Sequence, residues 1–293
     1  MPSVDSVPGA DWVPDGAWLA PGYAEWAPPA ALRGMIACLW TGIAPRDASR
    51  DTLVLPDACS DLVWEQGIGA YVAGPDTGPV RTVTPPGTVI IGVRFRPAAG
   101  GPALGLPLSE IRDQRIGLAD LLPPARLPAA ARQSAGALPP DLDPAAAVTK
   151  VLAVAGTLAC QGTCDQAVTH AASLLRDPVA RLEQVAAVVG LSERQLRRRF
   201  HAAVGYGPKT LQRVYRFRRF VQRADERRAD ERRADQQWID TGHADEWRGD
   251  GPRGSWDLAT IALEAGYADQ AHLTRECVAL SGLTPAALAR ARG

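Results

Sequence analysis

The C-terminal half of this 293-residue chain repeats itself. Leu182 to Leu211 and Leu258 to Leu288 align with an offset of 76 residues at Leu182/Leu258 and Gly190/Gly266, and of 77 at Leu196/Leu273 and Pro208/Pro285. One residue has therefore entered the second turn. Such self-similarity marks one supersecondary unit used twice. In the first copy, Leu182-Glu183-Gln184-Val185-Ala186-Ala187-Val188-Val189 reads as a short amphipathic helix that stops at Gly190. Ser192 and Gln195 form a capping box that opens a second helix, Glu193 to about Ala203, with Leu196 and Phe200 as inward anchors. In the second copy Leu258-Ala259-Thr260-Ile261-Ala262-Leu263-Glu264-Ala265 stops at Gly266, Tyr267 replaces Leu191, and a helix from Asp269 carries Leu273 and Cys277 inward.

A short helix, a glycine turn and a second helix make a helix-turn-helix, in which the first helix braces the second so that its outer face can enter a major groove. Two copies can read two groove segments. A connecting helix from Pro208 to about Ala234 would run roughly 40 Å at 1.5 Å per residue, enough to span the roughly 34 Å between successive major-groove faces. Charge points the same way. The formal net charge is zero, yet residues 1–150 carry 11 basic and 15 acidic side chains and residues 151–293 carry 21 and 17. From Asp177 to Arg223, ten Arg and Lys209 stand against only Asp177, Glu183 and Glu193. Clustered arginine is the footprint of a phosphate-binding face, whereas a merely solvated helix face interleaves acids and bases.

The ordered pattern is longer than one motif. It runs Leu182-x-x-Val185-Ala186-x-x-Val189-Gly190-Leu191-Ser192, Leu196-x-Arg198-x-Phe200 and Gly207-Pro208. It resumes at Ile261-Ala262-x-x-Ala265-Gly266-Tyr267-Ala268-Asp269-Gln270-Ala271-His272-Leu273-x-Arg275 and ends in Gly282-Leu283-Thr284-Pro285. With these residues the segment from about Gln166 to Gly293 resembles the DNA-binding domain of AraC/XylS-type transcriptional regulators, two helix-turn-helix units joined by a linker helix. The resemblance implies that Arg194, Arg197 and Arg198 of the first recognition helix face double-stranded DNA, with Gln270, His272, Thr274 and Arg275 of the second. The chemistry agrees, since arginine forks onto guanine, glutamine onto adenine, and hydroxyls onto bases or phosphates. Each arginine is equally open to phosphate contact alone, and His272 to a neutral packing role. Leu196, Phe200, Tyr267 and Leu273 read as core.

Three features depart from the family pattern. Ala268 stands where a capping Ser is expected, a loss of about 1 kcal/mol, and Cys277 replaces an aromatic anchor. The connector is lengthened over residues 224–255, beginning with the tandem Ala224-Asp225-Glu226-Arg227-Arg228 and Ala229-Asp230-Glu231-Arg232-Arg233. Pairs such as Asp225 with Arg228 and Arg227 with Glu231 would support added helical turns, and Gly242 to Ser255 is expected to form a loop.

The first half has a different texture. Met35 to Trp40, Thr52 to Leu55, Asp61 to Trp64, Ala70 to Ala73 and Thr88 to Phe95 read as short strands separated by turn residues. They predict a small sandwich or barrel. Leu108 to Leu122 reads as a short helix, Pro123 to Pro140 as a linker, and Asp143-Pro144 as the capped start of a helix reaching about Ala159. Thr163 and Gln166 then form a capping-box pattern before a helix that turns Val168, Ala171, Ala172 and Leu175 to one side. Trp12, Trp18 and Trp26 read as packing residues in an otherwise irregular start.

The expected fold class is therefore α+β: a β-rich domain at 1–128, by analogy a cupin-like barrel, a linker and connecting helix at 129–163, and a double helix-turn-helix domain at 164–293. Leu55-Pro56-Asp57-Ala58-Cys59-Ser60-Asp61-Leu62-Val63-Trp64 and Gly92-Val93-Arg94-Phe95-Arg96-Pro97 resemble an N-terminal domain of unassigned function found in such regulators. Asp57, Asp61, Arg94 and Arg96 are expected as turn caps and exposed strand charges, with a pocket role as the alternative. All four histidines (His170, His201, His243, His272) lie beyond this domain, so it has no three-histidine metal centre.

Composition narrows the remaining choices. At 46% hydrophobic and 22% charged residues the chain sits near the globular average. No apolar run reaches the roughly 18 residues of a membrane span. Met1-Pro2-Ser3-Val4-Asp5 lacks the basic and apolar regions of a secretory signal. The expectation is a cytoplasmic protein without membrane partners. Five cysteines, an odd and scattered number, read as ordinary buried thiols; Cys160 and Cys164 would share a helix face, without partners for a zinc site. No metal or cofactor is expected. The reading is a DNA-binding regulator, not an enzyme, tuned by a small-molecule effector or partner at the first domain, with RNA polymerase contact and a homodimer left open. The alternatives are an enzyme with its active site in the β-rich domain, against which stands the lack of a histidine base or a phosphate loop, and a thiol or metal sensor using Cys38 or Cys59.

Overall fold

A computed structural model describes residues 22–123, 125, 140–240 and 257–291. The architecture is α+β, a β-rich first part followed by helices. Strands β1 (Gly22–Trp26), β2 (Ile36–Ile43), β4 (Ser60–Glu65), β5 (Gly69–Ala73), β7 (Val89–Phe95) and β8 (Arg115–Gly117) form an antiparallel sheet in the order β1-β2-β7-β4-β5-β8. Strands β3 (Arg50–Val54) and β6 (Val80–Thr84) pair as a separate ribbon. The five expected strands are present. β1, β6 and β8 carried no clear signal: β6 is polar and mostly exposed, and β8 has three residues.

Side-chain alternation along these strands creates two unlike faces. Leu39, Ile43, Leu62, Trp64, Val89, Ile91, Val93 and Phe95 point to one side and are buried. On that side lies helix α3 (Pro144–Gln161), contributing Val148, Val151, Leu152, Ala155 and Leu158. By length and composition this helix is apolar enough to cross a membrane, contrary to expectation, but half of it is buried as the core helix of the sheet. It starts where expected, with the Asp143 carboxylate accepting from Ala145 N and Ala146 N.

Leu108 to Leu122 is not one helix. It holds a 3-10 turn at Leu108–Glu110, then β8, then helix α2 (Leu118–Leu121), which follows helix α1 (Gly100–Leu104) in the chain. Asp113 explains the break: it sits at φ 60°, outside helical space, where its carboxylate accepts from Thr77 N and Oγ1. The next helix, α4 (Gln166–Leu174), is capped by Asp165 and not by Thr163; the Asp165 carboxylate takes Ala167 N at 3.0 Å and Val168 N at 3.2 Å. Val168, Ala171, Ala172 and Leu175 are buried as expected. Two of the cysteine readings fail. Cys160 is exposed, and Cys164 lies past the end of α3 against Met35, so the two do not share a helix face. Trp26 packs on the core, while Trp12, Trp18 and the Pro-rich stretch from 126 to 139 lie outside the described residues.

The remaining helices are α5 (Leu182–Val188), α6 (Glu193–Val204), α7 (Pro208–Asp240), α8 (Leu258–Ala265), α9 (Gln270–Ser281) and α10 (Pro285–Ala291). At 33 residues α7 runs about 50 Å, beyond the Ala234 expected for its end. The loop expected at Gly242 to Ser255 lies outside the described residues.

Candidate nucleic-acid interface

Each repeat folds as its residues dictate. In the first, Leu182, Val185 and Ala186 turn inward from α5, Gly190 takes the turn at φ 68°, and Ser192 caps α6 with both halves of the box formed. Leu196 and Phe200 are fully buried and join Leu211 and Val214 of α7. That leaves Arg194, Arg197 and Arg198 exposed on the outer side of α6. Arg197 pairs with Glu193 at 2.8 Å, one turn back. Among the described residues Arg194 and Arg198 have no ion-pair partner.

In the second repeat Ile261, Ala262, Ala265, Tyr267, Leu273 and Cys277 are buried against Phe217, Phe220, Val221 and Ala224 of α7. The cap expected to be missing at Ala268 is supplied one residue later, where Asp269 Oδ1 accepts from His272 N at 2.6 Å. The extra residue in this turn thus moves the cap without removing it. Gln270 and Arg275 are exposed, the latter without an ion-pair partner among the described residues. His272 is half-buried, edge-on to the Tyr267 ring at 5.2 Å, with Nδ1 accepting from Ala268 N at 3.5 Å. These contacts favour its packing role. Thr274 is half-buried, and its Oγ1 donates to Gln270 O at 2.9 Å within its own helix, which leaves the oxygen's lone pairs as acceptors.

Much of the arginine cluster is paired within the chain. Arg199 pairs with Asp165 at 3.2 Å, Arg213 with Glu276 at 2.6 Å, Arg223 with Glu226 at 3.1 Å, and Arg216 lies 3.7 Å from Glu276 and over the Tyr267 ring. Arg219 donates to the carbonyls of Arg176 and Ala265. The sequence count therefore overstates the unpaired positive charge, because these partners come from elsewhere in the chain. In the lengthened connector Arg227 reaches Glu264 at 3.3 Å and Arg233 pairs with Asp230. The side chain of Glu231 lies outside the described residues.

The first domain reaches into both repeats. Ala58 and Ala98 belong to the core of the first, and Leu55, with Leu53 beside it, to the core of the second. Behind this contact the second face of the large sheet holds a polar row: the register sets Cys38, Arg94 and Asp61 side by side on β2, β7 and β4. Arg94 Nε lies 3.2 Å from Asp61 and 3.3 Å from Asp57, its Nη1 lies 3.4 Å from Glu25, and Trp40 Nε1 donates to Asp61 at 2.6 Å. Gly92 leaves room for the Trp40 ring, which a Cβ would meet at 2.1 Å. Arg94 and Asp61 are thus a half-buried ion network and not exposed strand charges. Asp57 does cap its turn, accepting from Cys59 N at 2.9 Å, and Arg96 donates to Arg33 O. Burial raises the Asp61 carboxyl against the opposing pull of Arg94, and the Asp61 carboxylate raises the Arg94 guanidinium.

A family model described as a domain of unknown function (DUF6597) matches residues 24–117. No curated protein matches. Among solved structures, ToxT from Vibrio cholerae is similar at 8% identity and a TM-score of 0.39, over 83% of this chain and 97% of that one. ToxT from Vibrio cholerae O395 is similar at 9% identity and a TM-score of 0.38, over 83% and 98%.

Proposed function

We propose that this chain is a sequence-specific DNA-binding transcriptional regulator of the AraC/XylS type, acting in the cytoplasm and not an enzyme. Its reader runs from about residue 164, behind a regulatory domain at 1–128 and a connecting segment at 129–163. One observation carries the reading: two capped helices, α6 and α9, are braced on one long helix and turn polar and basic side chains outward while their apolar sides are buried. Arg194, Arg197 and Arg198 contact one groove segment. Gln270, Thr274 and Arg275 contact the next, with His272 positioning the start of α9. A small-molecule effector or partner held by the first domain tunes binding through the Leu53–Cys59 segment, which touches both repeats. Homodimerisation and contact with RNA polymerase complete the proposal. The test is selection of duplexes from a random pool by the full chain, followed by a salt titration. Enrichment of a defined motif, with affinity falling linearly on a log–log salt plot, supports the reading; enrichment of no motif overturns it.

A further inference from the structure

Two reading helices on one chain are useful only if their separation and rotation are held. Beyond the apolar seat of each repeat on α7 and the contacts with the first domain, the structure contains a further attachment. Arg219, half-buried about a third of the way along α7, donates Nη1 to Ala265 O at 2.9 Å and Nη2 to Arg176 O. Ala265 ends α8, the supporting helix of the second repeat, and Arg176 follows α4, at the entrance to the first. Both are carbonyls at or just past helix C-termini, where the backbone lacks donors and a cation is favoured. Directly beside them the second repeat touches the segment that leads into the first. Gly266 sits at φ 90°, and a Cβ there would lie 2.3 Å from Pro178 Cβ and 3.3 Å from Arg219 Nη1.

We infer that Arg219, with Gly266 against Pro178, is a clasp that sets the relative placement of the two reading helices, so that Arg219 is a positioning residue for the spacing of the two half-sites. This rests on the DNA-binding reading proposed above. The planar guanidinium is needed because its two terminal nitrogens reach two carbonyls at once, one in the second repeat and one in the segment that leads into the first; a lysine ammonium has one point of attachment on a flexible stem. One base pair of added spacing moves a half-site by about 3.4 Å along the axis and rotates it around the duplex, a displacement that a rigid pair of readers does not follow.

The experiment uses the full chain and a set of duplexes carrying its two selected half-sites at the preferred spacing and at one or two base pairs more or fewer. The wild type is expected to lose about tenfold or more per base pair of misplacement, the scale of a mismatched position. Arg219→Ala and Arg219→Lys are expected to shrink that penalty to about threefold or less while keeping the base preference inside each half-site. Gly266→Ala, which keeps the Arg219 side chain but forces Pro178, and to a lesser extent the guanidinium, away by sterics, is expected to do the same. A DNA-free measurement separates this inference from the function on which it rests. Probes attached by non-cysteine chemistry at the exposed Val188 and Leu263, one on each repeat, should give one narrow distance distribution in the wild type and a broad one in Arg219→Ala. An unchanged spacing penalty, or an unchanged distance distribution, overturns the clasp. Failure of the wild type to select any duplex overturns the function, and the distance measurement still decides the clasp.

Discussion

Arg213 Nε donates to Glu276 Oε1 at 2.6 Å, joining the long helix α7 to the second reading helix α9 through a carboxylate whose side chain is only 12% exposed. Arg216 approaches the other oxygen at 3.7 Å. A double-mutant cycle between Arg213→Ala and Glu276→Gln is expected to give a coupling of about 1 kcal/mol in urea unfolding. That lies at the upper end of exposed pairs, because Glu276 is largely desolvated while Arg213 is not. A coupling near zero would mean that the apolar contacts alone hold α9.

Gly205 is placed where a side chain is excluded twice over. It sits at φ 89°, and a Cβ would lie 2.5 Å from Pro75 Cγ and 3.2 Å from Leu108 O of the first domain. Gly205→Ala should lower stability by about 2 kcal/mol, of which about 1 is the left-handed backbone and the rest the contact. Gly190→Ala has the same sign of φ but open space around it, so it should cost only the backbone part. Equal losses in chemical denaturation would remove the interdomain contact from the account.

Leu55 belongs to the first domain yet is buried among Phe217, Phe220 and Ile261. Leu55→Ala should cost about 2 to 3 kcal/mol, the range for a truncated core leucine. The lost protection should concentrate in α8 and α9. Amide hydrogen exchange by segment checks this; loss confined to the first domain would contradict it.

Burial pushes the Cys38 thiol up to about 12, with Arg94 opposing, and raises the Cys59 thiol well above its ordinary value. Both therefore stay protonated far into alkaline pH, and a protonated thiol is a poor nucleophile. Alkylation of the native protein at pH 8, read by mass spectrometry, should modify the exposed Cys160 and spare Cys38 and Cys59. Rapid labelling of either would revive a thiol-sensing role.

Arg198 and Gln270 separate two kinds of DNA contact. Arg198→Ala should weaken binding to nearly all duplexes and reduce the salt slope by about 1, as loss of one phosphate contact does. Gln270→Ala should change preference at a single base position by about 1 to 3 kcal/mol. If neither substitution alters binding, α6 and α9 are not the reading helices.

What local sequence determined was the repeat and its punctuation: the stop at Gly190 and Gly266, the Ser192 box, and the burial of Leu196, Phe200, Leu273 and Cys277. These follow from interactions within about four residues, caps and helical periodicity, so the chain states them directly. The same short range explains the strands, whose alternation survives in isolation, and the two misplaced caps, where Asp165 and Asp269 offered carboxylates close to the expected positions. Only the tertiary structure decided where the arginines point. Arg213 meets a partner 63 residues away, Arg219 one 46 residues away, and Arg94 one 33 residues away. A guanidinium on a long stem has the same local signature whether it meets phosphate, carboxylate or carbonyl. Its role is fixed by which groups the packing of α7, α8 and the large sheet brings within hydrogen-bond reach, and that packing depends on distant apolar contacts such as Leu55 among the phenylalanines of α7.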